Sequence, residues 1–452
     1  MKTKKIFLAV LILAFLIGLS YAFYYANTAL PIVNGYNAKI LCSAKFVSNR
    51  EAESIIKEDL GNYSYVTHNV DINNQSVTAS VFGLFARKAI YREKLGCTLL
   101  SGEYTEENLR NQYDNEALNN LGNIKKIDLE KGNFSNIDNK KLNATLDEAF
   151  IENQEGKKYT RAVLVLYKGK ILIERYAPEI KPDTALLGWS MTKSMINALT
   201  GIMIKKNKLR LNQNNLFKEW SNDQRKDITL DQLLRMSSGL KFEEDYSKVS
   251  DATNMLFRSY DISKIPLEKD LETKPDSKWS YSSGTTNLIS KLIRNTINND
   301  KEYLSLPHKE LFGKLGMSTA IVETDTSGTF IGSSFMYASA RDWAKFGQLY
   351  LQKGIWKGEK IFPDNWAKYS ATPTPEAEMG KYGAQFWLNA GNKDGSKWKN
   401  LPKDIFYPSG FESQYVFIIP SKQLVIVRLG LTKKEENCNE SHLIQGIIAS
   451  FK

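Results

Sequence analysis

The amino-acid sequence predicts an α+β fold: an antiparallel sheet flanked by helices, with an inserted helical subdomain and an extension at the N-terminus. Three observations lead to this prediction. Patterns typical of β-strands occur at both ends of residues 139–452. Patterns with the period of an α-helix fill the middle of the same region. A chain of 452 residues, 42% of them hydrophobic, is also long enough for a main domain plus an accessory segment.

Residues 1–28 are first basic and then strongly apolar. The start, MKTKK, is followed by a stretch without charge from Ile6 to Tyr25, which is long enough to cross a bilayer. Lysines beside a membrane span favour the cytoplasmic side, so we predict an uncleaved anchor. Small residues near Ala22 and Ala29 also fit a cleavage site, and a removable signal peptide is the alternative. Either way the rest of the chain is exported to the cell envelope or periplasm, tethered to the inner membrane or released.

The net charge of +11 results from 61 Lys and Arg against 50 Asp and Glu. The two signs alternate along the chain and the basic runs are short, whereas a nucleic-acid interface needs a concentrated basic stripe. We therefore expect no nucleic-acid partner. The positive excess fits a solvated surface that faces an anionic membrane.

Residues 29–138 are predicted to form an N-terminal extension and a connector. Short apolar runs alternate with turns up to about residue 100, and a polar stretch rich in Asn, Glu and Lys follows. Of the three cysteines, Cys42 and Cys97 lie in this segment and Cys438 stands alone. In an oxidising compartment we predict a Cys42–Cys97 disulfide, and three unpaired buried thiols are the alternative.

The elements of residues 139–452 follow in order. A helical repeat in residues 139–150 precedes a β-hairpin, whose strands RAVLVLY and KILIERY meet at Lys168 and Gly169. Helices come next, with capping boxes expected at Thr229 and Ser339 and helix ends at Gly239 and Gly354. Further predicted elements are a helix at residues 285–297, strands at 384–390, 413–420 and 423–430, and a last helix at 440–451.

The helix at residues 188–206 carries the first candidate for chemistry. At roughly 100° per residue, Ser190 and Lys193 fall on one small polar face, so hydroxyl and amine lie side by side. A Ser-x-x-Lys motif often occurs by chance on the solvent-exposed face of a helix. Here the approach ALLGW is apolar, and the polar face holds small residues where a surface helix would show Glu, Lys and Gln. We interpret Ser190 as a nucleophile and Lys193 as its base, because burial lowers the pKa of a lysine.

Two later motifs complete the pattern. Tyr281 and Ser283 form a Tyr-x-Ser just before a helix, where a tyrosine can relay a proton and a serine can bind substrate. Ser409 and Gly410 precede a predicted strand, whose backbone N–H groups can line a substrate. Each motif alone is weak, and an ordinary capped loop explains any single Tyr-Ser pair. Their order along one chain is more specific.

Together these motifs resemble the serine hydrolases of the β-lactamase and penicillin-binding-protein superfamily, near class C β-lactamases, esterases and 6-aminohexanoate-dimer hydrolases. The resemblance covers residues 140–452 and implies a β-lactamase/transpeptidase-like fold. It also implies that Ser190 is acylated, Lys193 is the base and Tyr281 shuttles the proton. Ser283 stands where relatives often have asparagine. Backbone N–H groups of Ser190 and Phe411 are expected to hold the oxyanion.

The third strand departs from the family pattern. Members that act on β-lactams usually have Lys-Thr-Gly, whereas this chain has Pro408, Ser409 and Gly410. The residues that follow, Phe411 to Gln414, also lack the histidine of nearer relatives. The group that meets a substrate carboxylate is therefore missing, which favours neutral esters or amides. Glu412 beside this strand favours a substrate with an amino group, such as an aminoacyl oligomer.

The predicted function is a serine hydrolase of small-molecule esters or amides that works through an acyl-enzyme and needs no cofactor or metal. A Ser-His-Asp site is the nearest rival, but His68, His308 and His442 have no suggestive context and there is no G-x-S-x-G. No H-E-x-x-H or other clustered metal-ligand pattern occurs. The alternative function is a catalytically weak, membrane-tethered penicillin-binding or sensor-like protein. The sequence makes no prediction of the oligomeric state.

Overall fold

The computed structural model describes residues 2–113, 122–152, 158–434 and 437–452. The chain begins with one continuous helix, Lys2–Phe46, which contains Pro31. Its first half is long and apolar enough to cross a membrane by length and composition, and none of that stretch is buried in the protein. Its second half, from Asn34 onward, is almost entirely buried. One continuous helix therefore has an exposed apolar first part and a buried second part that packs in the core.

The packed half of this helix corrects one prediction. Residues 38–47 (AKILCSAKFV) were expected as a short apolar run between turns, and all but the last of them belong to the helix instead. A helix that is buried on all sides has no polar face, so its sequence lacks the amphipathic period that identifies a surface helix.

A four-stranded antiparallel sheet covers this helix. Its strands follow chain order: Val66–Asp71, Ser76–Val81, Leu84–Arg92 and Gly96–Leu99. Cys42 of the helix is disulfide-bonded to Cys97 of the last strand, with a Cα–Cα distance of 6.1 Å. The predicted pairing is confirmed, and Cys438 is buried outside this bridge. A bridge across 55 residues of sequence contributes on the order of 4 kcal/mol in the loop-entropy description.

The N-terminal helix is also attached to the C-terminal part of the chain. Lys39 and Glu323 form a fully buried ion pair, and Ser43 Oγ donates to Glu323 Oε1 at 2.8 Å. Arg161 on the main sheet donates to Asp59 Oδ2 at 2.7 Å. These charge-assisted contacts hold the N-terminal segment in one position on the rest of the protein. The domain boundaries at residues 28 and 138 stay predictions.

The main sheet contains seven antiparallel strands. The strands that begin and end the region are neighbours, since Leu424–Gly430 pairs with Thr160–Tyr167. This confirms the antiparallel sheet built from both ends. Across the sheet the order is Trp387–Leu388, Phe406–Tyr407, Gln414–Ile419, Leu424–Gly430, Thr160–Tyr167 and Lys170–Tyr176, and Ser409–Gly410 pairs with Gln414–Ile419.

Helices cover both faces of this sheet. Asn139–Phe150 and Glu440–Ile448 pack on one face, and Ala340–Leu351 packs on the other. The remaining helices belong to the N-terminal segment or to the inserted subdomain. These others are Ala52–Glu58 and Glu106–Arg110 of the N-terminal segment, then Thr192–Lys205, Leu230–Leu234, Asp251–Phe257, Lys264–Leu267, Ser283–Ile297, Asp300–Pro307, Gly313–Leu315 and Trp366–Ser370, with a π-helical turn at His308–Phe312. Two small sheets complete the fold. One has three strands, in the order Leu186–Leu187, Met336–Ala338 and Ile321–Val322. The other pairs Ile355–Trp356 with Glu359–Lys360.

Three local predictions need correction. The capping box at Thr229 is present, but its helix ends at Leu234, well before Gly239, because Met236 has a φ of +61°. Ser339 caps its helix, yet Asp342 does not return the bond, since its carboxylate accepts from Thr319 and Lys345. The strand expected at residues 384–390 contains only two residues, Trp387–Leu388.

Candidate active site

The strand at Leu186–Leu187 leads into the site through a tight turn. A Cβ on Gly188 would lie 2.4 Å from Trp343 Cζ2, so only glycine fits here. Trp189 then has a φ of +48°, and a 3₁₀ turn, Trp189–Met191, precedes the helix Thr192–Lys205. A positive φ at a non-glycine residue stores strain that the surrounding packing must hold. The turn places Ser190 two residues before the buried helix, which begins four residues later than the predicted start at Gly188.

Lys193 is buried beside Ser190. Its Nζ donates to Ser190 Oγ at 3.1 Å, to Ser283 Oγ at 3.0 Å and to the Ser333 carbonyl at 2.9 Å. Three acceptors use all three protons of an ammonium. Burial nevertheless lowers the pKa of Lys193 to about 8, while the negative charge of Glu244 acts in the opposite direction. The pKa of the amine is therefore close enough to neutral pH for a fraction of it to be unprotonated, which is the form that a general base needs.

Tyr281 is the third member of this group. Its ring centroid lies 4.9 Å from Lys193 Nζ, and its hydroxyl is close enough to Ser190 for that side chain to influence its pKa. Burial, and secondarily the charge of Glu244, raise the pKa of Tyr281 above its usual range. The same burial thus favours a neutral lysine and a protonated tyrosine, because the uncharged form of each is the one stabilised. Two groups whose pKa values are moved apart in this way fit a base and a proton donor, and these roles of Lys193 and Tyr281 stay predictions.

Ser283 connects the site to a carboxylate that the sequence did not identify. Its Oγ donates to Glu244 Oε1 at 2.5 Å, and its backbone N–H donates to Glu244 Oε2 at 2.7 Å. Tyr246 donates to the same carboxylate at 2.8 Å and lies 3.0 Å from Ser283 Oγ. A chain of hydrogen bonds therefore runs from Lys193 through Ser283 to Glu244.

The segment that holds Glu244 and Tyr246 has no regular secondary structure. It follows the short helix Leu230–Leu234 and contains three acidic residues in a row, which looks like an ordinary polar loop. No periodicity or spacing relates it to Ser190. Nothing in the sequence identified these residues as part of the site.

Ser409, Gly410 and Phe411 lie against the turn that carries Ser190. A Cβ on Gly410 would be 2.1 Å from the Gly188 carbonyl oxygen, so this approach is open only to glycine. Phe411 is 56% exposed and meets the Trp189 ring edge-on at 5.6 Å. The predicted strand and the predicted helix start are thus brought together. The backbone of Phe411 as an oxyanion donor stays a prediction.

Two strained residues follow Phe411. Glu412 has a φ of +60° and Ser413 one of +63°, and Arg428 fixes them by donating to the Ser413 carbonyl at 2.8 Å. Strained backbone of this kind clusters at functional sites. Glu412 is largely buried, and burial raises the pKa of its carboxyl to about 7. Its role in selecting an amino group stays a prediction.

The three histidines lie in other surroundings. His68 contacts Asn37, His442 contacts Glu148, and His308 packs against Phe312. Burial lowers the pKa of His308 to about 4, as expected for a structural imidazole. These contacts favour the Ser190 and Lys193 pair over a Ser-His-Asp arrangement.

Ser190 opens into a cavity of about 530 Å³, which we call the serine cleft. This volume is in the range of small-molecule sites. Trp189, Tyr246 and Phe411 contribute aromatic surface to it, and Tyr36 of the N-terminal helix lies in the same wall.

Known proteins share this architecture. The family described as Beta-lactamase matches residues 146–444, about two thirds of the chain. The structure of a 6-aminohexanoate-dimer hydrolase from Bacillus anthracis is similar, with a TM-score of 0.58 and 20% identity over 73% of this chain and 89% of that one. A family VIII carboxylesterase has a TM-score of 0.56 and 13% identity over 72% and 100%. A penicillin-binding protein homologue from Caulobacter crescentus has a TM-score of 0.55 and 14% identity over 69% and 98%.

At these identities the similar structures show the fold alone, whereas the family match rests on the sequence of most of the C-terminal region. The matched residues contain the turn of Ser190, the helix of Lys193 and the Tyr-x-Ser helix start. They also contain the strands of the main sheet from both ends of the region, residues 160–176 and 414–430. The chain belongs to the beta-lactamase family.

Proposed function

We propose that this protein is a serine hydrolase that forms an acyl-enzyme on Ser190 and cleaves carboxylic esters or amides outside the cytoplasmic membrane. The observation that carries the proposal is the buried amine of Lys193, 3.1 Å from Ser190 Oγ and with a lowered pKa. A weak nucleophile such as serine needs an adjacent base of this kind. The similar structures include one described as a carboxylesterase and one described as a 6-aminohexanoate-dimer hydrolase, which is consistent with this reaction class.

The reaction is a double displacement. Ser190 Oγ attacks the substrate carbonyl carbon while its proton passes to the neutral amine of Lys193. The resulting oxyanion is held by backbone N–H groups, for which Ser190 and Phe411 are the candidates. Collapse breaks the bond to the leaving group, which takes a proton from the Lys193 and Tyr281 pair. Water then attacks the acyl-enzyme with the same base, releasing a carboxylic acid and regenerating Ser190.

Intact-mass analysis tests the proposal. After incubation with a fluorophosphonate or with p-nitrophenyl butyrate, we expect a mass increase equal to one acyl or phosphonyl group, mapped to the peptide that contains Ser190. Rapid turnover of the ester supports a hydrolase. A stable adduct without turnover would instead support a penicillin-binding or sensor-like protein. Labelling at a different serine would contradict the proposal.

The first prediction concerns pH. We expect kcat/KM for p-nitrophenyl butyrate to rise with pH through about 8 and to level off above it. The reason is that only the unprotonated amine accepts the Ser190 proton, and burial places the pKa of Lys193 at about 8. A profile measured with a constant-ionic-strength buffer series checks this. A profile that falls through the same range would contradict Lys193 as the base.

The second prediction concerns Glu244. Its charge raises the pKa of Lys193, so Glu244→Gln is expected to move the rising limb of the profile to lower pH. Glutamine keeps the size of the side chain and an oxygen that can accept from Ser283. The matched control is Glu243→Gln, because Glu243 is exposed and pairs with Lys248. An identical profile for all three proteins would show that Glu244 does not act on Lys193.

The third prediction concerns substrate class. Pro408 stands where β-lactam-active relatives have lysine, so a substrate carboxylate loses a charge-assisted bond of roughly 1.5–3 kcal/mol. We expect kcat/KM for p-nitrophenyl butyrate to exceed that for nitrocefin by about tenfold or more. Side-by-side kinetics decide the point. A nitrocefin efficiency equal to or above that of the ester would mean that another cation replaces the missing lysine.

A further inference from the structure

The N-terminal helix forms one wall of the serine cleft. Tyr25, Ala29, Ile32, Val33 and Tyr36 all line the same cavity as Ser190. Their spacing of four, three, one and three residues places them on one helix face. A single apolar stripe therefore runs along the helix from Tyr25 to the aromatic residues beside the nucleophile.

The same helix is the candidate membrane span. The stretch without charge from Ile6 to Tyr25 covers about 30 Å as a helix, which matches the hydrocarbon thickness of a bilayer. Tyr21, Tyr24 and Tyr25 are more than half exposed at its end. Tyrosine is enriched where a span meets the membrane surface. Tyr25 thus lies at the membrane boundary and at the entrance of the serine cleft.

The distance from this boundary to Ser190 is set by rigid contacts. The Tyr36 ring stacks on Trp189, with centroids 6.3 Å apart and planes 7° apart. The buried Lys39–Glu323 ion pair and the Cys42–Cys97 disulfide fix the helix just beyond Tyr36. Tyr36 follows Tyr25 by eleven positions, so the ring that stacks beside the nucleophile lies about 16 Å along the helix from the membrane boundary. An extended palmitoyl chain is longer than this distance, and a butyryl chain is much shorter.

We propose that the substrate is a membrane-borne acyl ester, whose apolar chain leaves the bilayer along the stripe from Tyr25 to Tyr36 and presents its carbonyl to Ser190. This inference rests on the proposed function and names its substrate class. The chemistry is the same acyl transfer: the bond between acyl carbon and ester oxygen breaks, and water supplies the hydroxyl of the acid and the proton of the alcohol. The stripe excludes water from the chain while it passes from membrane to site.

The test uses the full chain reconstituted in phosphatidylcholine vesicles. A fluorogenic palmitate ester is placed either in the vesicles that carry the protein or in separate vesicles without it, and a soluble butyrate ester measures the chemistry of Ser190. Entry from the bilayer predicts that palmitate is cleaved at least about tenfold faster in the shared vesicles. Intact mass of the reconstituted protein establishes that Tyr25 is retained.

Variants of the stripe make the test specific. Ala29→Arg introduces a charge into the apolar wall at a partly exposed position, and the ratio of palmitate to butyrate kcat/KM is expected to fall about tenfold or more. Tyr25→Asp, at an exposed residue, is the second variant and is expected to lower the same ratio. The matched control is Asn27→Arg, on an exposed residue that does not line the cleft, where the ratio is expected to stay unchanged.

The outcomes separate the two proposals. Equal palmitate cleavage from shared and separate vesicles, or an unchanged ratio in both stripe variants, would overturn the membrane-borne substrate while butyrate turnover leaves the hydrolase intact. Removal of Tyr25 by cleavage in the mature protein would overturn it as well. If neither ester is cleaved and Ser190 is not labelled, the proposed function fails and this inference fails with it.

Discussion

Ser190→Ala is expected to abolish ester turnover and covalent labelling, with kcat reduced by about 10⁵-fold or more, the scale seen when an acyl-transfer nucleophile is removed. The variant deletes the oxygen that accepts from Lys193 Nζ at 3.1 Å. Loss of one partly buried hydroxyl leaves the fold nearly unaffected. Turnover of p-nitrophenyl butyrate and mass labelling with a fluorophosphonate measure the two effects.

The matched control is Ser194→Ala, four residues further along the same helix. Ser194 is buried and its Oγ donates to the Gln385 carbonyl at 2.6 Å, away from Ser190. Removing this bond is expected to cost about 1 kcal/mol of stability and to leave labelling intact. Full activity in Ser190→Ala, or loss of labelling only in Ser194→Ala, would assign the nucleophile elsewhere.

Lys193→Arg is expected to lower kcat/KM by about 10²- to 10⁴-fold, the contribution of a positioned general base. Arginine keeps a positive charge next to Ser190, but a guanidinium does not release its proton in the working pH range. The substitution therefore separates proton transfer from simple charge stabilisation. Kinetics at pH values below and above 8 with p-nitrophenyl butyrate measure the loss.

Lys205→Arg is the control for this variant, since Lys205 is exposed at the other end of the same helix. It is expected to match the natural chain. If Lys193→Arg stayed within about tenfold of the natural chain at all pH values, the lysine would act through its charge alone and another group would be the base.

The hydrogen-bond network explains why this lysine stays in place although it is buried. An unpaired buried ammonium is costly, and Lys193 avoids this cost through three acceptors, one of them the Ser333 carbonyl. Asn287 fixes that carbonyl by accepting from the Ser333 N–H at 3.0 Å. The network holds the amine at the nucleophile in either protonation state, since a neutral amine can still donate two of these bonds and accept one.

Much of the fold followed from local patterns. The β-hairpin at Lys168 and Gly169, the strands around Pro420 and the capping box at Thr229 were all predicted and are present. Such features depend on residues within one turn or one strand pair, so the sequence carries them directly. Element ends were predicted less well. The helix after Thr229 ends early at Leu234 because the backbone at Met236 is held in a left-handed conformation by tertiary contacts.

The sequence by itself determined the side-by-side placement of Ser190 and Lys193, because residues three apart on a helix share a face whatever surrounds them. It also determined that an uncharged apolar segment precedes a positively charged chain. The approach of Gly410 to Gly188 was expected only through the order of the motifs.

Only the tertiary structure decided which groups set the protonation of these residues and what shapes the serine cleft. Glu244 reaches Ser283 from a loop about forty residues away, and Tyr36 reaches Trp189 from more than a hundred and fifty residues away. Contacts at such separations depend on how whole elements pack, and no local period or spacing encodes them. The desolvation that lowers the pKa of Lys193 has the same origin, because burial is a property of the packed molecule and not of the motif.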